Sequence, residues 1–316
     1  MLYLGEDPVG HAAASVAAAR AAGMRFAYVT NNASRAPAVV AARLTGLGIP
    51  AEPDDVVTSG QAAARRLADE LPAGASVLVV GTDALADEVA GVGLQPVRTV
   101  VQAGEGGPAA VVQGLAPSTS WSDLAEAAVA LHRGALWVVG NTDATLPTNR
   151  GQLPGNGALV AALKLVTGRE PLVCGKPEPA LHAASVQRVH ARQPLVVGDR
   201  LDTDVLGAVR GGADSLLVLT GVTGVRGLMA APVGSRPTYV SSDLRGLLCS
   251  HPEVEVDGET ARCGSAVARW AAGLVRVESD AAAGADGDVE ADDGLRALVA
   301  LAWSCADRGL DVDIAR

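Results

Sequence analysis

Three carboxylates, Asp199, Asp202 and Asp204, follow directly on the apolar run Leu195-Val196-Val197 and its terminal Gly198. A continuous apolar run reads as a parallel-sheet strand covered on both faces, and ligands of such sheets sit just beyond the carboxyl ends of the strands. Acids crowded at that point repel one another unless a cation or solvent separates them, and an all-oxygen ligand set suits Mg²⁺. The same residues also fit an acid-rich helix N-terminus, which the helix dipole favours without any metal. Two further segments carry polar groups at strand ends. Thr30, Asn31 and Asn32 follow the strand Phe26 to Val29 and offer a hydroxyl and two amides, neutral donors for phosphate oxygens. Lys176, in Gly175-Lys176-Pro177, is one of only two lysines in a chain with 25 Lys plus Arg, so a compact ammonium here departs from the local habit. Each segment also has a plain reading. Lys176 fits a surface turn, and Thr30 to Asn32 a capped loop with Ser34 as N-cap and Pro37 in the first turn of the next helix. The three together, at strand ends and in rare residue types, point to a phosphate site.

The elements that must position these residues alternate. Helices are expected at Ala12 to Ala22, Pro37 to Leu47, Gln61 to Leu71, Ala84 to Val92, Trp121 to His132, Ala158 to Thr167, Pro179 to Val189 and Asp204 to Arg210. Strands are expected at Met24 to Val29, Ser76 to Val80, Ala109 to Gln113, Leu136 to Val139, Leu195 to Val197 and Ser215 to Leu219. Strands alternating with helices imply parallel βα units, and right-handed crossovers bring the strand ends to one edge. From about Pro237 the pattern changes. Asp257-Gly258 between Val254 to Val256 and Thr260 to Arg262 signals a hairpin, residues 281–294 read as an acidic flexible connection, and a helix from Leu295 to Arg308 closes the chain. This tail reads as a small α+β appendage.

Composition narrows the function. With 316 residues and 49% apolar content the chain can bury a sizeable core in two domains and a smaller unit. A net charge of −10 argues against nucleic acid, whose phosphates need basic surface. No apolar stretch reaches the roughly 18 residues of a membrane span and no leader is visible, so the expected location is the cytoplasm, without membrane attachment. Four scattered cysteines form no CxxC pair and are expected as reduced thiols. The five asparagines (Asn31, Asn32, Asn141, Asn149 and Asn156) are confined to two short segments.

The segments Val29-Thr30-Asn31-Asn32-Ala33-Ser34-Arg35, Gly175-Lys176-Pro177 and Gly198-Asp199-Arg200-Leu201-Asp202-Thr203-Asp204 resemble the second, third and fourth motifs of the haloacid dehalogenase superfamily. The likeness is to subfamily IIA, whose large cap lies between motifs two and three and which includes nitrophenylphosphatase-like, phosphoglycolate, pyridoxal phosphate and glycerol 3-phosphate phosphatases. It runs from residue 1 to about residue 225. The resemblance implies an α/β fold: a Rossmann-like parallel-sheet core from residues 1–58 and 172–235, an inserted α/β cap over 59–171 and the appendage over 236–316. It implies a Mg²⁺-dependent phosphomonoesterase. Thr30 and Asn31 would bind the phosphoryl group, Lys176 would neutralise the nucleophile and transition state, Asp199 would ligate Mg²⁺, and Asp204 would support the metal shell. Asp202 is expected to face solvent. Asn32, Ser34 and Arg35 lie on a loop that could reach substrate. Asp143 and Asn156, in the cap, are candidates to touch it, with Gly-rich loop architecture as the equal alternative. The expected partner is a small phosphorylated metabolite, with pairing of two copies through the cap. The tail is similar to that of the actinobacterial glycerol 3-phosphate phosphatase branch, which makes glycerol 3-phosphate the first substrate expected, ahead of phosphoglycolate and aryl phosphates.

The family's first motif, Asp-x-Asp-Gly, carries the attacking aspartate and the acid that protonates the leaving group. Met1-Leu2-Tyr3-Leu4-Gly5 matches the part that follows it. Asp7 and Glu6 lie beyond the motif and do not take over those roles. The strand carrying the motif is expected at the sheet centre, between the strands ending at Thr30 and Asp199. Inner strands left with unpaired backbone groups would lose about 1 to 3 kcal/mol per buried group. A start site placed too late is therefore the expectation, and a catalytically silent phosphate- and Mg²⁺-binding protein is the rival.

Overall fold

The computed structural model describes residues 1–4, 7–148, 150–278 and 290–314; Gly5, Glu6, Asn149 and residues 281–289 of the expected acidic connection lie outside them. Contacts divide the chain into two compact units, Arg25–Ala191 and Met1–Met24 with Arg192–Arg316. The expected boundaries at 58/59, 171/172 and 235/236 fall inside these units.

The Arg25–Ala191 unit is built on five parallel strands in the order Leu172–Val173, Leu136–Val139, Ala110–Gln113, Ser76–Val80 and Gln95–Val97. Their continuous apolar sequences follow from burial on both faces. Val77, Val79, Ala110, Val112 and Val138 feed one core. Leu78, Val80, Val111, Trp137 and Val139 feed the other, under the helices Trp121–His132 and Asn156–Thr167. Caps set the helix starts: Thr58 with Gln61, and Ser120 with Asp123, each form a capping box. Tyr28–Thr30 pairs in parallel with Val56–Thr58. The strand expected from Met24 is a strand only over Tyr28–Thr30, where this partner lies opposite. The sequence reading missed the hairpin Thr145–Thr148 with Gly151–Pro154, because its strands lack alternating apolar residues.

In the other unit Leu195–Gly198, Asp214–Val218 and Tyr239–Ser241 form a parallel sheet. An antiparallel meander follows, Glu255–Asp257, Thr260–Cys263, Ala266–Ala271 and Leu274–Glu278, with Asp313–Ile314 added in parallel. The hairpin expected here is present with its turn one residue on: Asp257 ends the strand opposite Thr260, and Gly258, at φ +57°, makes the turn with Glu259. The closing helix begins at Glu290, five residues before the expected Leu295, so the last part of the acidic segment is helical. Its first turn is anchored: Asp292 accepts from the Ser241 hydroxyl and the Ser242 N–H. Val205, Leu217, Leu228, Val240, Ala261, Ala268, Val275, Leu298 and Leu301 share one core. The tail is thus continuous with the parallel sheet in packing. No helix among the described residues is long and apolar enough to cross a membrane.

Candidate functional site

In the Arg25–Ala191 unit the site residues converge on Asn31. The Tyr28–Thr30 strand delivers Asn31 to the strand-end level at which Gly140-Asn141 and Gly175-Lys176 leave the five-stranded sheet. Asn31 Nδ2 donates to both carboxylate oxygens of Asp143, at 3.3 and 3.4 Å, and to the Lys176 carbonyl at 3.1 Å. Its Oδ1 accepts the Lys176 N–H at 2.7 Å, and its carbonyl accepts from the Ser59 hydroxyl at 2.6 Å and from Asn141 Nδ2 at 2.7 Å. Asn141 Oδ1 in turn accepts the Asp143 N–H at 3.1 Å, and the Asn141 carbonyl accepts from Asn156 Nδ2 at 2.7 Å. The glycines here are steric requirements. A Cβ at Gly175 would run into the Gly140 carbonyl, and one at Gly155 or Gly157 into the carbonyls of Asp143 or Thr142.

This network joins Asn31, Lys176, Asp143 and Asn156, which sequence alone kept in separate segments. Asn141 and Ser59 were missed as members. The clustering of the rare asparagines was the available signal for Asn141; nothing in the sequence marked Ser59. Thr30 Oγ1 accepts the Asn32 N–H at 3.1 Å. Asn32 Oδ1 accepts from the Ser34 N–H, the Ser34 hydroxyl and the Arg35 N–H, which curls the loop into an Asx turn. Ser34 is not the N-cap of the following helix: Ala36 holds that place without a side-chain cap, and Pro37 opens the helix. Asn32 has drawn Ser34 into the loop instead. Arg35 is exposed, and the Lys176–Pro177 peptide is cis.

In the other unit a π turn, Leu201–Val205, follows the Leu195–Gly198 strand in place of the α-helix expected from Asp204, which starts at Leu206. Asp204 is buried, and its Oδ2 accepts the N–H groups of Asp199 and Arg200, each at 3.2 Å. A Cβ at Gly198 would run into the Asp204 carboxylate, so only glycine lets the acid fold back over the strand end. Asp199 Oδ2 accepts the Val222 N–H at 2.9 Å, its carbonyl accepts the Thr223 N–H at 3.0 Å, and its Oδ1 lies 3.4 Å from the Met1 ammonium. Gly221 is packed so closely that a Cβ there would meet the Asp199 carboxylate. Sequence reading missed this Gly221-Val222-Thr223 clasp. Asp202 turns outward, its side chain 66% exposed; two hydrogen bonds from Arg200, at 3.0 and 2.7 Å, hold its carboxyl below the usual range.

Asp199 and Asp204 offer hard oxygen donors that suit Mg²⁺, an ion that commonly binds through one or two carboxylates and keeps several waters. Among the described residues no group of three or more His, Cys, Asp and Glu side chains gathers as a cation site, so these two acids are what the unit itself supplies.

Parallel strands that end in a Thr-Asn-Asn loop, a Gly-Lys-Pro turn and an acid pair define an α/β protein equipped for phosphoryl chemistry. Comparison with known proteins agrees. Residues 1–95 match the family model described as haloacid dehalogenase-like hydrolase, and residues 173–247 the one described as HAD-hydrolase-like. The chain is 54% identical over 246 residues to the D-glycerol 3-phosphate phosphatase of Mycobacterium tuberculosis, covering 78% of this chain and 68% of the relative. The crystal structure of glycerol phosphate phosphatase from M. tuberculosis in complex with magnesium aligns over 100% of this chain and 91% of its own, with TM-score 0.84 and 45% identity. A thermostable NPPase double mutant from Geobacillus stearothermophilus aligns over 75% and 91%, with TM-score 0.69 and 31% identity. The chain belongs to the haloacid dehalogenase-like hydrolase family, within its phosphomonoester-hydrolysing branch.

Proposed function

We propose that this chain acts, with Mg²⁺ as its cofactor, on a small phosphate monoester, with glycerol 3-phosphate first and phosphoglycolate or aryl phosphates after it. The observation that carries the reading is the Asn31 network, which fixes the Thr30-Asn31-Asn32 loop against the Lys176 turn and Asp143. The substrate choice rests on 54% identity to a protein named for glycerol 3-phosphate. In this reading Lys176 and Thr30 hold phosphoryl oxygens, Lys176 supplying the positive charge that a phosphoryl transition state needs. Asn31 joins them at the phosphoryl group and orients the Lys176 backbone, and Asn32 shapes the loop that carries Ser34 and Arg35 toward substrate. Asp143 and Asn156 set the leaving-group side. Bound Mg²⁺ supplies Lewis-acid charge; Asp199 ligates it and Asp204 holds the Asp199 backbone in place. We further propose the three-part organisation of core, cap over 59–171 and appendage over 236–316. A cytoplasmic location fits the four free thiols. Pairing through the cap is supported by Val101 and Trp121, 86% and 83% exposed. Retention of a dimer by Trp121→Glu in sedimentation would refute it.

The family resemblance puts the attacking aspartate ahead of Leu2, so the test uses two proteins: residues 1–316 and the same chain preceded by an Asp-x-Asp-Gly strand. Mg²⁺-dependent release of phosphate from glycerol 3-phosphate by the extended protein supports the reading. Silence in both, with phosphate and Mg²⁺ still bound, supports the rival, a regulatory binding protein.

A further inference from the structure

Five buried side-chain polar atoms without a hydrogen-bond partner belong to residues on one face of the five-stranded sheet in the Arg25–Ala191 unit or at the starts of the two helices that cover it. They are both amide atoms of Gln113, Trp137 Nε1, Asn156 Oδ1 and Thr119 Oγ1. Strand parity places Gln113 beyond Val111 on the face that Trp137 and Val139 also line. The Trp121–His132 and Asn156–Thr167 helices cover that face. Thr119 immediately precedes Ser120, the N-cap of the first helix, and Asn156 opens the second. Short links bring the ends together: the Gly140 N–H bonds the Gln113 carbonyl at 2.9 Å, and Asn156 Nδ2 bonds the carbonyl of the next residue, Asn141, at 2.7 Å.

Gln113 is 0% exposed, Asn156 1% and Trp137 2%. A buried amide with neither atom bonded is costly to keep, and native interiors resolve such groups with a partner, commonly water. The five atoms are complementary for that purpose. Gln113 Nε2 and Trp137 Nε1 donate, Gln113 Oε1 and Asn156 Oδ1 accept, and the Thr119 hydroxyl does either. An internal water makes two to four hydrogen bonds, which this set can supply. We infer that Gln113, Thr119, Trp137 and Asn156 line an internal hydration site beneath the two helices, binding water rather than a monatomic ion because the set mixes donors with acceptors and only a group that both accepts and donates satisfies them together. Through Asn156 this water braces Asn141, and with it the carbonyl of Asn31.

The test is a high-resolution crystal structure of residues 1–316 together with thermal unfolding of Gln113→Met, a near-isosteric change that removes both amide atoms. Ordered water within hydrogen-bond distance of the Gln113 amide and Asn156 Oδ1 is expected. Gln113→Met is expected to lower the Tm by about 2–4 °C, as loss of a satisfied polar site does in a domain of this size. An amide without solvent, a larger ligand in its place, or an unchanged or raised Tm would overturn the inference. If Gln113→Met does not fold, the solvent structure of the wild-type protein decides alone.

Discussion

Replacing Asn31 with aspartate tests the direction of the hydrogen bonds at the centre of the site. Asn31 Oδ1 accepts from the Lys176 N–H, and a carboxylate keeps that bond. The Nδ2 side reverses: a donor shared by Asp143 and the Lys176 carbonyl becomes a second anion 3.3 to 3.4 Å from the Asp143 oxygens. Loss of a hydrogen bond to a charged group removes about 1.5–3 kcal/mol, and loss of the neutral one about 0.5–1.5 kcal/mol. Two unit charges about 4 Å apart repel by about 4 kcal/mol at an effective dielectric near 20, a ceiling that rotation and water reduce. A net loss of about 3–5 kcal/mol is expected, a large part of a stability of about 5–15 kcal/mol. In a unit of this size that lowers the Tm by roughly 10 °C. Asn31→Ala loses the same donors and also the acceptor of the Lys176 N–H, about 0.5–1.5 kcal/mol, but adds no charge; the repulsion of about 4 kcal/mol outweighs that loss, so Asn31→Asp should be the less stable of the two at pH 7. The gap should close near pH 4, where a shared proton lets one carboxyl donate to the other. Differential scanning calorimetry of the two variants at pH 7 and pH 4 measures this. Asn31→Asp within a degree of the wild type, or equal to Asn31→Ala at both pH values, would refute the donor assignment.

Gly221→Ala is expected to weaken Mg²⁺ binding about 10- to 100-fold, the range for disturbing a group that orients a metal ligand. Its methyl must displace the Asp199 carboxylate while the Val222 N–H remains. Calorimetric titration with MgCl₂ checks this, and an unchanged Kd counts against Asp199 as the ligand. Asp243 gives a pH prediction. Burial pushes its carboxyl up, but hydrogen bonds from the Arg245 side chain and N–H outweigh this and leave it lowered. A carboxyl lowered in the folded state adds stability above its unfolded value, and that stability is lost as pH falls through the folded one. The Tm difference between wild type and Asp243→Asn should therefore be largest near pH 7 and shrink below about pH 4, the ordinary carboxylate range. A difference that is constant with pH would sink this assignment.

Much of the chain is legible in its sequence. The helices Trp121–His132 and Pro179–Val189 and the strands Ser76–Val80 and Leu136–Val139 lie where periodicity, caps and prolines put them, because those signals act between near neighbours. The Thr30, Lys176 and Asp199 segments stood out by residue type for the same reason. Short elements held by distant partners were not legible. The Tyr239–Ser241 strand exists because Leu216 to Val218 lies beside it, and the closing helix starts early because Asp292 reaches Ser241, 51 residues away.

The sequence by itself therefore determined which residues could meet a phosphoryl group and a hard cation, and which strands and turns carry them. Tertiary structure alone decided how they are held: Asn31 gripping Lys176 across 145 residues, Asn141 reaching back across 110, and Gly221 giving way to Asp199. The physical reason is range. Backbone preference and side-chain periodicity are written locally, whereas a hydrogen bond between distant segments, or the space for a missing Cβ, exists only once the chain has closed on itself.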